Sequence, residues 1–199
     1  MILGRVDEVD GSYVGTRFLA GAVPLRCMYI THTSGRVPEG LEELPLRTSW
    51  RSIVLGYLRV WAPMLAVAAL GADLACGGVH RATIALAGLL LGASAVAHRA
   101  GRLSSNEKAR LRLLGSVTGL RLDPALLPTA TREAKRASLE ALMSKGGIPS
   151  SASSILAVID GIPTPALPLV YGYARYAGDD EPWVECAAVV FRRHEDGAF

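Results

Sequence analysis

The chain has 199 residues, half of them apolar and a fifth charged, with a mean hydropathy of +0.30. That is high for a soluble domain, which must solvate its whole surface, and it favours insertion into a membrane. Acids and bases nearly cancel at a formal net charge of +3, too little for the basic patch or stripe that nucleic acid requires, so nucleic acid is set aside as a partner.

Asp7, Glu8 and Asp10 precede any apolar run, the reverse of a basic-then-hydrophobic signal peptide, so no cleaved leader is expected. Ser12 to Leu19 and Leu25 to Thr31 are rich in Tyr, Val, Thr, Phe and Ile, with Gly21 to Pro24 between them, which predicts a β-hairpin or small sheet. Thr33 to Pro45 is broken by Gly and Pro and has no sustained period, and it reads as a polar linker.

Ile53 to Ala72 is a run of 20 residues whose only charge is Arg59. At 1.5 Å per residue it covers roughly 30 Å, the thickness of a bilayer core. Val79 to Ala97 gives 19 more residues, with His80 and Arg81 at its start and no charge from Ala82 onward. The short connection Asp73 to Gly78 makes the two helices antiparallel neighbours and places Asp73 and Arg81 near each other at the turn. Arg47 and Arg51 precede the first span, and Arg99, Arg102, Lys108, Arg110 and Arg112 follow the second, so the positive-inside rule puts both ends in the cytoplasm. Trp50, Tyr57 and Trp61 suit an interfacial aromatic belt.

From Leu103 onward the punctuation predicts about five short helices. The first opens on the pattern Ser104-x-x-Glu107, a capping box. The others run from Ala130 to Ser144, Ser151 to Ile159, Ala166 to Ala177 and Pro182 to His194, the last with Asp180 as N-cap. Trp183, Ala187, Val190 and Phe191 share one face of that last helix, as packing in a small bundle requires.

Gly88 and Gly92 form a GxxxG pattern that Ala85 and Ala95 extend, a small-residue face that lets another backbone approach. Homodimerisation is one reading of it. Packing against Ala62, Ala66 and Ala69 of the first helix is favoured, because the hairpin supplies that partner at no translational cost. Arg59 is a candidate for a ligand or ion path, and insertion scales charge about 3 kcal/mol for arginine at mid-span. It lies about two turns from the cytoplasmic end, where snorkelling accounts for it. Asp73 and Arg81 complete the intramembrane polar candidates.

His32, His80, His98 and His194 fall in four different elements, and Cys27, Cys76 and Cys186 lack paired spacing. No metal or cofactor is therefore expected, the cysteines read as mostly buried apolar residues, and no catalytic residue is assigned. The acids Asp179, Asp180 and Glu181 are explained by capping and the helix dipole rather than by a cation.

Thr16-Arg17-Phe18 followed by Pro24-Leu25, then a two-span hairpin and an Ala- and Leu-rich helical tail, resembles uncharacterised bacterial inner-membrane proteins with a short β-rich segment before the spans. Some relatives carry a zinc ribbon, whose paired cysteines this chain lacks, and the resemblance implies no activity. The expected fold is mainly α: a β-containing segment and linker over 1–48, a transmembrane helical hairpin over 49–99, and a cytoplasmic helical domain over 100–199. The expected role is a membrane-anchored scaffold or adaptor that meets the lipid bilayer and a protein partner or second copy. The rival is a subunit of an oligomeric transporter or channel, with Arg59 or Asp73 lining its path.

Overall fold

An Asp-Gly pair opens the fold. Asp10 and Gly11 both have positive φ, 47° and 82°, and join β1 (Ile2–Val9) to β2 (Ser12–Leu19) in the mirror-image two-residue turn that matches strand twist. The computed structural model describes residues 2–19, 23–30, 43–78 and 80–197. Most of the expected linker, and His32 with it, lies outside the described residues.

β3 (Val23–Ile30) pairs antiparallel with β2, and the three-residue β4 (Glu43–Pro45) with β3, giving a four-stranded antiparallel sheet in chain order. The inward positions Val6, Val14, Phe18, Cys27 and Tyr29 are almost wholly buried. They pack on the first turns of α1 (Trp50–Ala75), whose Ser52, Ile53, Leu55 and Gly56 are buried in return. The chain divides into Met1–Ser104 and Ser105–Phe199, so the sheet and the hairpin make one unit rather than the separate segments expected at 1–48 and 49–99.

α1 and α2 (Arg81–Ala100) form the helical hairpin. Their contact seam advances by alternate steps of three and four: Arg59, Ala62, Ala66, Ala69 and Asp73 on α1, and Thr83, Ala87, Leu90, Ser94 and Ala97 on α2. This is the spacing of left-handed antiparallel packing, and the small side chains let the axes come close. Pro63 lies inside α1 and has no N–H to return to the carbonyl of Arg59.

The second unit is all-helical: α3 (Ser105–Thr118), α4 (Thr129–Lys145), α5 (Ala152–Val158), α6 (Leu167–Ala177) and α7 (Glu181–Asp196). These are the five helices that the glycine and proline punctuation predicts. α4 ends in a Schellman motif: Gly147 takes φ 67°, its N–H reaches the Ser144 carbonyl at 3.1 Å, and the Ile148 N–H reaches that of Met143 at 3.0 Å. α6 is the buried centre and packs on α3, α4 and α7, with Leu167, Val170, Tyr173 and Ala174 at most 1% exposed. Ala187, Val190 and Phe191 of α7 are buried on the face expected for them. Asp180 occupies the N-cap position of α7 but makes no side-chain capping bond there.

Candidate functional site

Arg59 projects from α1 at the level where α2 ends. The last four carbonyls of a helix have no partner within it, and that of Ala97 is one of them. The Arg59 Nε and Nη2 donate to it at 3.2 and 2.9 Å, and Nη1 donates to the carbonyl of Arg5 on β1. The guanidinium therefore ties α1, α2 and the sheet together, and its charge complements the negative end of the α2 dipole. Gly101 lies against it, and a Cβ there would overlap the guanidinium. Two turns earlier, Arg51 does the same for the Ala100 carbonyl at 2.7 Å and pairs with Asp7 at 3.4 Å.

Behind this clamp the start of α1 is fixed by hydroxyls and a thiol. Ser49 is the N-cap and accepts from the Ser52 N–H at 3.3 Å. The Ser52 hydroxyl meets that of Thr16 at 2.8 Å, and the Ser49 N–H donates to the Cys27 sulfur at 3.2 Å. All four residues are buried, which makes these hydrogen bonds the condition for docking the helix on the sheet. Tyr57 belongs to the same contact. Its ring packs edge-on against Phe18 with centroids 5.3 Å apart.

At the far end of the hairpin, the Asp73 carboxylate accepts from the His80 N–H at 2.9 Å and faces the His80 Nδ1 at 3.2 Å. The expected approach to Arg81 gives way to this pairing because His80 sits at the N-cap of α2, where backbone N–H groups await an acceptor. Arg81 is exposed. Cys76 is exposed in the same turn, unlike the buried Cys27 and Cys186.

The small-residue face does not pack where it was expected. Ala85, Gly88, Gly92 and Ala95 are exposed, and no other atom lies within 4 Å of where a Cβ would stand on either glycine. Ala62 and Ala66 do line the α1 seam, but they meet the face of Ala87 and Ala97. The Arg59 clamp on Ala97 and the Asp73 clasp on His80 set that rotation of α2.

In the second unit an open groove of about 730 Å³ runs between α3 and α7. Leu113, Pro168 and Phe191 supply its apolar surface, and Arg112, His194, Glu195 and Asp196 its polar groups. The His194 Nδ1 is buried with no hydrogen-bond partner among the described residues. Ser116 also lines the groove, but its hydroxyl donates to the Leu113 carbonyl at 2.7 Å. Arg110 lies over the Phe191 ring at 5.1 Å, so one base of the α3 run is used in packing.

Burial, with Glu185 nearby, pushes the Cys186 thiol up to about 11, which makes it a core residue rather than a nucleophile. Asp179 pairs with Arg132 at 3.0 Å, and no group of three metal-ligating side chains occurs among the described residues.

Compared with known proteins, the chain matches no family model, no curated protein and no solved structure.

Proposed function

We propose that this chain is a membrane-anchored adaptor, held in the bilayer by the α1–α2 hairpin and binding a protein segment in the groove between α3 and α7. The observation that carries the reading is the outward surface of the hairpin. Met64, Leu65, Val67 and Leu74 on α1, and Ile84, Leu86, Leu89, Leu91 and Val96 on α2, are all at least half exposed. Water penalises such a sleeve, whereas hydrocarbon solvates it, and large contiguous apolar patches mark membrane or partner surfaces. The flanking arginines favour the bacterial inner membrane with both ends cytoplasmic.

The groove supports the adaptor half because an apolar floor with a mixed polar rim suits a peptide segment. A transport subunit is the weaker reading. Arg59 and Asp73, the two charges that would line a water path, are engaged by the protein's own backbone. The exposed Gly88 and Gly92 face is the surface by which a second copy would join.

Extraction of native membranes with alkaline carbonate tests the anchor: the chain stays in the pellet until detergent is added. Release without detergent overturns it. Cys76 at the hairpin tip then reports topology, since an impermeant maleimide labels it from outside intact cells only if the tip crosses. For the groove, Phe191→Ala and Arg112→Glu reduce crosslinking to a native partner while carbonate resistance is unchanged.

A further inference from the structure

The sleeve is too short for the bilayer it would cross. From the Arg59 clamp to the Asp73 clasp α1 advances 14 residues, about 21 Å, and α2 from Arg81 to Ala97 advances 16, about 24 Å. A hydrocarbon core of about 30 Å leaves a deficit of roughly 6–9 Å. At the tip that deficit would fall on Asp73, His80 and Arg81. At the other end it falls on the sheet.

The register places the end of the sheet that is met there. Thr16 contacts Ser52 and Phe18 contacts Tyr57. Two residues of strand, about 7 Å, match five residues of helix, about 7.5 Å, so β2 runs beside α1 in the same direction. β1 runs the opposite way, with Asp7 at Arg51 and Arg5 at Arg59. Leu19 pairs with Val23, one step beyond Phe18, which brings the start of β3 level with Arg59.

Val23 and Leu25 there are 53% and 56% exposed, and the sequence from Phe18 to Leu25 contains no charged residue. One step behind Phe18, Arg17 and Arg26 stand directly opposite each other, both exposed and without an ion-pair partner among the described residues. Like charges opposed across a strand pair destabilise a sheet. An anion between them reverses that sign.

We infer that the end of the sheet formed by β2 and β3 is a second membrane contact, in which Val23 and Leu25 enter the interface and Arg17 with Arg26 bind the phosphates of anionic lipid. This rests on the hairpin being inserted. It makes the contact continuous with the apolar sleeve and supplies the missing depth. An arginine near an anionic surface gains roughly fivefold in local binding, so the pair makes this contact dependent on lipid charge.

The test uses the full chain with Cys76→Ser, carrying an environment-sensitive fluorophore at Leu25→Cys or, as control, at Glu8→Cys. It is reconstituted in phosphatidylcholine vesicles with or without phosphatidylglycerol. The label at position 25 is expected to shift to the blue and to be quenched by lipids with a shallow nitroxide, at least about twofold more with phosphatidylglycerol. The label at position 8 should do neither, and Arg17→Gln with Arg26→Gln should abolish the gain.

A solvent-like label at position 25 on a carbonate-resistant chain overturns this inference and leaves the anchor standing. A blue-shifted label that lipid nitroxides do not quench also overturns it, in favour of a protein contact. Quenching indifferent to the two arginines removes the phosphate contact. Release of the chain by carbonate overturns both readings.

Discussion

Arg59 carries a charge inside an apolar run, and the geometry accounts for it with two carbonyl acceptors on two different elements. Removing it leaves the part-buried Ala97 carbonyl and the Arg5 carbonyl without this donor, so Arg59→Leu should cost about 1.5–3 kcal/mol, the usual range for a hydrogen-bonded charge. Arg59→Lys should recover less than half of that, because a single ammonium cannot reproduce the planar fork that reaches both acceptors. Gly101→Ala should lower stability in the same direction by displacing the guanidinium. Thermal unfolding in detergent reads all three, and an unperturbed Gly101→Ala would falsify the clamp. A loss of function in Arg59→Leu therefore does not by itself argue for transport. Cys186 offers a pH test at the same scale. Its folded pKa, about 11, lies above the ordinary 9.0, so the folded state holds its proton more tightly. The stabilisation is full below pH 9 and is lost as pH rises toward 11. The unfolding midpoint should fall across that window in the native chain, and less steeply in Cys186→Ala. At pH 8 one equivalent of maleimide should be taken up, at Cys76 alone.

Elements were legible where the chain punctuates itself. α3, α4, α6 and α7 each end one residue before a glycine and α5 three before one, and the predicted bounds of α4 to α7 differ from the observed ones by at most two residues. β1 was not foreseen because its inward residues Val6 and Val9 are three apart. Register shifts on both sides of Val6 and the positive φ of Asp7 break the alternation that marks a strand. The Asp10-Gly11 pair was the signal that could have found it. β4 is too short to carry a pattern. On α2 the sequence holds two small-residue stripes at the same spacing, one through Gly88 and Gly92 and one through Ala87, Ser94 and Ala97. Composition cannot choose between them; contacts made by Arg59 and Asp73 outside the stripe do. Gly88→Ile with Gly92→Ile should accordingly leave the folding and insertion of a single chain unchanged, since both positions open onto free space. If copies pair through α2, the same double variant should abolish disulfide crosslinking of a cysteine placed at Ala85.

For the molecule, the sequence predicts a mainly helical chain with a small β-containing start, and that is what forms. The expected boundary before the hairpin does not exist, because the sheet has its core on α1, while the one after it lies at Ser104, a few residues later than expected. The hydroxyl and thiol contacts that join sheet to helix come from residues 22 to 36 positions apart, which no local pattern reveals. The unit Ser105–Phe199 has its own core around α6, and expressed alone it should be helical and should unfold cooperatively. A non-cooperative melt would show that it needs the rest of the chain. The sheet, by contrast, should not survive deletion of α1, because Thr16, Phe18 and Cys27 would lose the surface that buries them.

The clamp also sets a schedule for synthesis. Arg59 leaves the ribosome 38 residues ahead of the Ala97 carbonyl that accepts its hydrogen bonds. At about 5–20 residues per second, that leaves the guanidinium without its second acceptor for roughly 2–8 s. If the hairpin is inserted as proposed, a first helix released into lipid on its own would carry that charge uncovered, so the two helices should enter as a pair, held back until Ala97 has emerged.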